Sequence, residues 1–338
     1  MIKQTLMAAS AVALMSGAAV AQDNPVNLNF SLWIAPVHPL YKGMEEWAAS
    51  LNEASGGTIS VTMYPSEQLG KAVDHYDMAR DGIADLTFIN PGYNAGRFPV
   101  ISYGELPFVF NSAEGGSRAL DAYYRPHAAA EMADVKFCMA FIHSPGTIHM
   151  TKPVVQPSDL QGLAVRPANG TSGQFLTGMG ATTVQASAAE LRDLLARGTA
   201  DGTASPYSSV ITWGAGDHAL HHLDMPMFSA NFALIVSPAA WARLSPAQQE
   251  ALDAHCTTDW AGQVVTHWGA EDLEQRAVLE ADARHVFHVP NAEQAAQWHA
   301  AAEPVVARWR EAVTAAGHDA AALEAEFQAA IATYDAGN

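Results

Sequence analysis

Arg166 is the side chain whose position points most directly to chemistry. It ends the apolar run 163–165 and precedes residues 167–170, Pro-Ala-Asn-Gly, which turn the chain towards a helix. An arginine at the carboxyl edge of a sheet, beside a helix N-terminus, can bind a carboxylate through two parallel hydrogen bonds. The residues leave one alternative open, a structural ion pair with one of the many acidic side chains.

Aromatic residues recur at or just after the ends of the predicted strands. Trp33 and Tyr207 each lie where a strand gives way to a loop, whereas Phe88 is equally suited to core packing. A pocket of one arginine and several rings would bind a small carboxylate whose remainder is apolar, aromatic or cationic. We therefore predict a ligand site drawn from Arg166, Trp33, Tyr93, Tyr207, Asn169, Glu67, Asn90, Phe88 and Trp213.

Two segments echo each other, 80–93 and 196–207. Each combines a helix end, a glycine, an Ala-Asp step, a short strand, then proline and tyrosine. Because strand ends of this kind meet at the crevice of an open α/β sheet, the echo predicts that Tyr93 and Tyr207 face each other. The competing interpretation is a common helix-to-strand turn that occurs twice.

The usual enzyme motifs are absent from the sequence. It has no G-x-S-x-G, H-E-x-x-H, C-x-x-C, Walker A or strand-linked G-x-G-x-x-G pattern. The densest group of metal-ligand residue types is His218, His221, His222 and Asp224, but a strand would send His221 and His222 to opposite faces. We expect solvent-facing histidines, no metal and no cofactor.

The two cysteines, Cys138 and Cys256, lie in a predicted buried strand and a predicted helix. Two cysteines do not make a disulfide framework, although an oxidising compartment would permit one bond. Of the two alternatives, we favour inert core thiols over a disulfide.

The elements that must position these residues alternate between strand and helix. Strand patterns at 27–33, 58–64 and 85–89 alternate with helical patterns at 40–55 and 71–80, which predicts a βαβαβ start to a sheet. The fold class is therefore α/β, with residues 22–150 mainly in a first lobe and 151–240 mainly in a second. Helical patterns dominate 241–338, which should cross and complete both lobes. Further strands are expected at 136–142, 163–167, 232–236 and 286–289, and further helices at 173–180 and 188–197.

Composition and the first residues bound the function. The chain has 338 residues, 49% of them hydrophobic, and a formal net charge of −18, which excludes a disordered chain and argues against nucleic-acid binding. Residues 1–21 combine Lys3, a short apolar stretch and an Ala-Val-Ala end, as in a cleavable secretory signal peptide. The sequence predicts an exported protein.

Several short motifs, in order, resemble one family. Residues 64–70 (YPSEQLG), after Ser-Gly-Gly at 55–57, are similar to an element of the DctP-type substrate-binding proteins of TRAP transporters, the tripartite ATP-independent periplasmic transporters. Each motif alone is weak, and their shared order and spacing carry the resemblance over most of residues 28–245. The others are GIAD at 82–85, RFP at 97–99 with LPF at 106–108, DLQGLAVR at 159–166, MGA at 179–181 and GTADG at 198–202.

The resemblance implies a two-lobed, hinge-closing Venus flytrap fold that captures an organic acid and delivers it to membrane permease subunits. The carboxylate-binding arginine of that family falls on Arg166. The chain departs from the family at Gly146, where a second arginine is frequent, and at Ser205, where an asparagine is frequent. Because these two polar side chains are missing, we expect a monocarboxylate ligand, whose remainder is aromatic, zwitterionic or aliphatic. We also expect the protein to be a monomer.

Two other functions stay open from the residues. One is a periplasmic enzyme on the same scaffold that uses Glu67 or a histidine as a general base. The other is a binding subunit of a sensor or scaffold that has no permease.

Overall fold

The predicted alternation of strands and helices forms two sheets, each with helices packed on it. A computed structural model describes residues 23–337, so the predicted signal peptide lies outside the described residues. Within residues 23–337, no helix is both long enough and apolar enough to cross a bilayer. The strands are β1 (Val26–Ser31), β2 (Ile59–Tyr64), β3 (Leu86–Ile89), β4 (Lys136–Ile142), β5 (Thr147–Met150), β6 (Ala164–Arg166), β7 (Thr182–Thr183), β8 (Gly202–Ser205), β9 (His221–Leu223), β10 (Asn231–Val236) and β11 (Val286–His288).

Local sequence signals explain most helix boundaries. The helix at 39–54 has proline at its first position and the His38 side chain accepting from the amide of Leu40, and it ends before two glycines with positive φ. The helices are α1 (Pro39–Ala54), α2 (His75–Arg80), α3 (Ala113–Glu131), α4 (Gly170–Gly178), α5 (Leu191–Ala196), α6 (Tyr207–Thr212), α7 (Pro238–Arg243), α8 (Pro246–Ala254), α9 (Thr258–Gln263), α10 (Thr266–Ala281), α11 (Ala292–Ala315) and α12 (Ala320–Thr333). Short 3₁₀ turns include Pro91–Tyr93, Ile101–Glu105 and Ala188–Glu190.

Five of the six strands in the second sheet repeat the topology of the five-stranded first sheet. The first has the order β2-β1-β3-β10-β4, with β1 parallel to β2 and β3, and β10 antiparallel to β3 and β4. The second has the order β11-β9-β5-β8-β6-β7, with β6 parallel to β7 and β8, and β5 antiparallel to β8 and β9. The predicted βαβαβ start is confirmed, and its parallel core recurs in the second lobe.

The chain crosses between the lobes through β5 and β10, which occupy equivalent positions in the two sheets. β5 follows β4 of the first sheet but pairs in the second, and β10 follows β9 of the second sheet but pairs in the first. The two crossings are joined where the amide of Gly146 donates to the carbonyl of Phe228 at 2.7 Å. β5 therefore belongs to the second lobe and β10 to the first, whereas the predicted boundaries at residues 150 and 240 assign each of them to the other lobe.

The internal echo corresponds to a repeated structural unit. Asp85 accepts from the amide of Asn29 in the neighbouring strand, and Asp201 accepts in the same way from the amide of Ala164. Each aspartate therefore ties a helix-to-strand turn to the neighbouring parallel strand of its own sheet, β1 or β6. The glycines three residues earlier, Gly82 and Gly198 (φ 72° and 65°), supply the left-handed turn that both need.

The C-terminal helices connect both lobes, as the sequence predicted. On α11, the indole of Trp309 donates to the carbonyl of Pro99 in the first lobe at 2.9 Å, while the guanidinium of Arg308 donates to Gln174 on α4. α12 packs on α3 of the first lobe, and α10 contacts α1 and α6. These helices therefore contribute side chains to the region between the lobes.

The expectation for the cysteines is wrong, because Cys138 and Cys256 form a disulfide. Cys138 lies in β4, as predicted, but Cys256 lies in the turn between α8 and α9 rather than in a helix. The fold brings two residues that are 118 positions apart within 4.4 Å at their Cα atoms. Sequence spacing alone contains no information on that approach.

A candidate carboxylate-binding cleft between the lobes

Arg166 ends β6 and lies in the cleft with only 3% of its surface exposed. Its Nε donates to the carbonyl of Ala186 at 3.0 Å, and its Nη2 donates to the hydroxyl of Tyr93 at 3.3 Å. Among residues 23–337 no aspartate or glutamate forms an ion pair with it, so the alternative of a structural ion pair is wrong for the described chain. The guanidinium is buried beside neutral oxygens only.

Trp33 and Trp213 form facing walls of this cavity. Trp33 follows β1 of the first lobe, and Trp213 follows α6 of the second. Their ring centroids are 6.3 Å apart and their planes differ by 22°. Phe88 is fully buried and stacks on Trp33 at 4.9 Å, so it supports the tryptophan and does not line the cavity.

Tyr93 closes the cavity on the side of Arg166. It ends the 3₁₀ turn Pro91–Tyr93, in which the Asn90 side chain accepts from the amide of Gly92. Asn90 also lines the cavity. The cap therefore fixes the turn that carries the tyrosine ring, whose centroid lies 6.0 Å from that of Trp33.

Sequence reasoning missed His38, His143 and Trp268, which also line the cavity. Trp268 projects from α10, and its ring contacts both histidine rings at centroid distances of 4.7 and 5.7 Å. No local signal marks Trp268, because it lies within a helix from the C-terminal region. His38 and His143 each stand beside a predicted strand end or helix start, which is the signal that could have found them.

Burial keeps both histidines neutral. Desolvation, with a smaller effect of His143, lowers the pKa of His38 to about 3. Desolvation also lowers the pKa of His143 to about 4, with the Arg166 guanidinium contributing. The amide of Ala230 donates to Nε2 of His143, which fixes a neutral tautomer with the proton on Nδ1.

Arg166 is therefore the one charged group among the described residues that line this cavity. The indole Nε1 of Trp33 is buried with no hydrogen-bond partner among residues 23–337. The Arg166 guanidinium lacks a counter-charge and the Trp33 indole lacks an acceptor, and the oxygens of an anion would supply both.

Tyr207 is not brought into the cavity, which corrects the expectation that it faces Tyr93. It is 6% exposed, its hydroxyl donates to Asp224, and its ring packs against His149 and Phe287. The strands before the two tyrosines both have four residues, but three residues separate Tyr93 from its strand and only Pro206 separates Tyr207 from its own. Tyr207 therefore begins α6, whereas Tyr93 ends a 3₁₀ turn, so the two rings do not take equivalent positions.

Glu67 and Asn169 lie in an outer cavity of about 340 Å³, on the other side of Tyr93. Glu67 accepts from the amide of Ala72 and pairs with Lys71, and Asn169 caps α4 by accepting from the amide of Ser172. Both side chains are already bonded within their own loops. The structure thus brings Arg166, Trp33, Tyr93, Asn90 and Trp213 together and places Glu67, Asn169, Phe88 and Tyr207 elsewhere.

The departure at Gly146 has a steric reason. A Cβ atom on Gly146 would lie 2.7 Å from the carbonyl oxygen of Ser205, a contact with backbone that cannot move aside cheaply. Ser205 itself lines the cavity. No side chain fits at 146 in this conformation, so a second arginine has no place there.

The expectation of solvent-facing histidines at 221 and 222 is wrong for His222, which is fully buried. His221 is partly exposed and lies 3.0 Å from His288, ring nitrogen to ring nitrogen. No group of three or more metal-ligand residues converges within the described part of the chain.

Comparisons with known proteins agree on one class. The model of bacterial extracellular solute-binding proteins, family 7 (DctP), matches residues 30–312. Three solved TRAP solute-binding proteins superpose with a TM-score of 0.86. They are a protein from Rhodoferax ferrireducens with copurified benzoate (29% identity, 92% of this chain, 98% of that one), a marine metagenome protein specific for aromatic acid ligands with 3-hydroxybenzoate (27%, 93%, 100%), and a protein from Bordetella bronchiseptica with (R)- and (S)-mandelate (28%, 91%, 99%).

Proposed function

The chain belongs to the bacterial extracellular solute-binding proteins of family 7, DctP, and we propose that its ligand is an aromatic monocarboxylate held by Arg166. Members of this family bind small organic carboxylates for TRAP transporters, and this chain is such a solute-binding subunit. Binding of this kind shifts a conformational equilibrium and makes or breaks no covalent bond.

The observation that carries the proposal is the buried, uncompensated charge of Arg166. Burying an ion without a partner of opposite charge is costly, and a carboxylate would supply both the charge and the acceptor oxygens. The benzoate, 3-hydroxybenzoate and mandelate bound to the three similar proteins support an aromatic carboxylate as the class of ligand.

The orientation of the two tryptophans supports a flat remainder for the ligand. Trp33 and Trp213 are close to parallel, which suits a planar ring stacked between them. Two stacking contacts need about 7 Å between the outer rings, so the pair at 6.3 Å must separate slightly to admit one. A zwitterion would place its cation near Arg166, with no acidic side chain among the described lining residues to balance it.

The remaining parts of the proposal follow from the family. We place the mature protein in the periplasm, as a monomer exported by cleavage after residue 21, with membrane permease subunits as its partners. Ligand binding closes the lobes about the crossings at Gly146 and Phe228, which are the segments that join the two sheets.

Titration calorimetry of the mature protein with four acids tests the proposal. Benzoate should bind, cyclohexanecarboxylate should bind more weakly because it lacks a π face, and glycine betaine and succinate should bind least. Arg166→Ala should abolish benzoate binding, whereas Arg197→Ala, which changes an exposed arginine that lines neither cavity, should leave it unchanged. Unchanged benzoate affinity in Arg166→Ala, or preference for betaine, would overturn the assignment.

A further inference from the structure

Three histidines of the second lobe form one hydrogen-bonded chain that ends at the wall of the cavity. Nε2 of His149 lies 3.0 Å from the carbonyl oxygen of Ser205, and Nδ1 of His149 lies 2.7 Å from Nδ1 of His222. Nε2 of His222 lies 2.8 Å from Nδ1 of His285. His149 and His222 belong to β5 and β9, and His285 immediately precedes β11.

The hydrogen bonds among the three histidines allow only one placement of the ring protons when all three rings are neutral. A carbonyl oxygen can only accept, so His149 carries its proton on Nε2 and accepts at Nδ1. His222 must then donate from Nδ1 and accept at Nε2, and His285 must donate from Nδ1. His222 and His285 are thereby held in the Nδ1–H tautomer, which is the less populated form of a free imidazole.

The carbonyl at the end of the chain is part of the ligand cavity and of a lobe crossing. Ser205 and Pro206 line the cavity, and the Ser205 carbonyl packs directly against Gly146. β8, which ends at Ser205, is held by β5 on one side and by β6, the strand of Arg166, on the other. A shift of Ser205 would therefore change the part of the cavity wall that Ser205 and Pro206 form.

We propose that His149, His222 and His285 are positioning residues for ligand binding, which act as one hydrogen-bonded chain that holds the Ser205–Pro206 wall in place. The inference rests on the proposed ligand cavity. The histidines contact no ligand and act only through the Ser205 carbonyl.

Only one nitrogen of the chain can accept a further proton without loss of a hydrogen bond, Nε2 of His285. It lies 4.0 Å from Oδ2 of Asp282, and its ring borders a surface depression that also contains Asp217 and Arg284. A proton on His149 or His222 would instead oppose two N–H groups. Burial lowers the pKa of His149 to about 4 and strongly lowers the pKa of His222. The other titratable or charged groups nearby are His221, His288, Tyr207 and the Asp224–Arg276 ion pair.

The first test reads the proton positions without any ligand. In ¹⁵N NMR spectra of the wild-type protein at neutral pH, His149 should be the Nε2–H tautomer, and His222 and His285 the Nδ1–H tautomer. Any other assignment at His222 would overturn the inference. On acidification, His285 should titrate before the two interior rings.

The second test separates positioning from stability. His149→Gln keeps a donor for the Ser205 carbonyl, whereas His149→Leu removes it, so the leucine variant should raise the benzoate Kd about tenfold and the glutamine variant much less. Amide exchange at Thr147 and Ser205, which pair in β5 and β8, should accelerate in ligand-free His149→Leu only. Equal affinity and equal exchange in both variants would overturn the inference.

The two sets of outcomes distinguish this inference from the proposed function. If the wild type binds no carboxylate, the proposed function fails. The histidine tautomers and the amide exchange rates would still show whether the three histidines hold Ser205 and Pro206 in place. If benzoate binds but His149→Leu and the wild type share one Kd, only the positioning role fails.

Discussion

Tyr93 and Arg166 approach each other from opposite lobes, with the tyrosine hydroxyl 3.3 Å from Nη2 of the arginine. The same hydroxyl accepts a hydrogen bond from the amide of Ala188, also at 3.3 Å. One side chain of the first lobe thus bonds to two groups of the second. The oxygen beside the guanidinium in this conformation belongs to the protein itself.

Removing that hydroxyl should weaken ligand binding by loosening lobe closure. Tyr93→Phe retains the ring beside Trp33 but loses both hydrogen bonds, so the benzoate Kd should rise about three- to tenfold. Calorimetry measures the change, with Tyr41→Phe as the control because Tyr41 lines neither cavity. Tighter binding in Tyr93→Phe would mean that the hydroxyl competes with the carboxylate instead.

Trp213 should determine the preference for aromatic acids. Trp213→Leu removes one face of the ring slot, so benzoate affinity should fall about tenfold while cyclohexanecarboxylate affinity changes less. The ratio of the two Kd values is the measurement. Trp33→Leu is a poorer variant, because Trp33 is 4% exposed and stacks on Phe88, so its loss also destabilises the core.

The buried histidines should make the protein less stable in acid. Burial lowers the pKa of His38 to about 3, so below pH 6.5 the unfolded state binds a proton that the folded state does not. Between about pH 6.5 and 5 this costs roughly 2 kcal/mol of unfolding free energy for one such group. His38→Asn retains an acceptor for the amide of Leu40, and its urea denaturation should lose that part of the pH dependence. An unchanged slope would show that His38 titrates normally.

Glu105 should have the opposite pH dependence. Burial raises the pKa of Glu105 to about 8, although Thr171 donates to it, so the folded state holds a proton that the unfolded state releases above pH 4.5. Stability from this group is therefore lost as pH rises. Between about pH 6 and 8 the wild type should lose roughly 2 kcal/mol that Glu105→Gln retains. Parallel denaturation curves for the two proteins at both pH values would contradict the assignment.

Reduction of the disulfide should destabilise the protein without affecting ligand affinity. Closing a loop of 118 residues stabilises by about 4–5 kcal/mol in the chain-entropy model. Denaturation with and without a reducing agent measures the loss, and the double variant Cys138→Ala, Cys256→Ala should match the reduced protein. Neither cysteine lines a cavity, so the benzoate Kd should stay the same.

The parts of the fold and site that the sequence predicts are those encoded by neighbours in the chain. Arg166 was found because a strand pattern, a proline turn and a helix start surround it, and the Asp85 and Asp201 turns because their motif repeats. Trp268 lines the cavity from α10, and no sequence motif around residue 268 relates that helix to the strand ends that carry the other lining residues. The prediction for Tyr207 is wrong because the connection between its strand and the tyrosine is two residues shorter than the one before Tyr93, so Tyr207 begins a helix instead of ending a turn.

The exchanged strands have a consequence for how the chain acquires its structure. β10 lies inside the first sheet, between β3 and β4, yet it begins at Asn231, after five of the six strands of the second sheet. As the chain emerges from a ribosome or an export channel, the first lobe cannot close its sheet until more than two-thirds of the residues have passed. The first lobe therefore cannot mature ahead of the second, and a chain stopped before residue 231 would leave the facing edges of β3 and β4 unpaired.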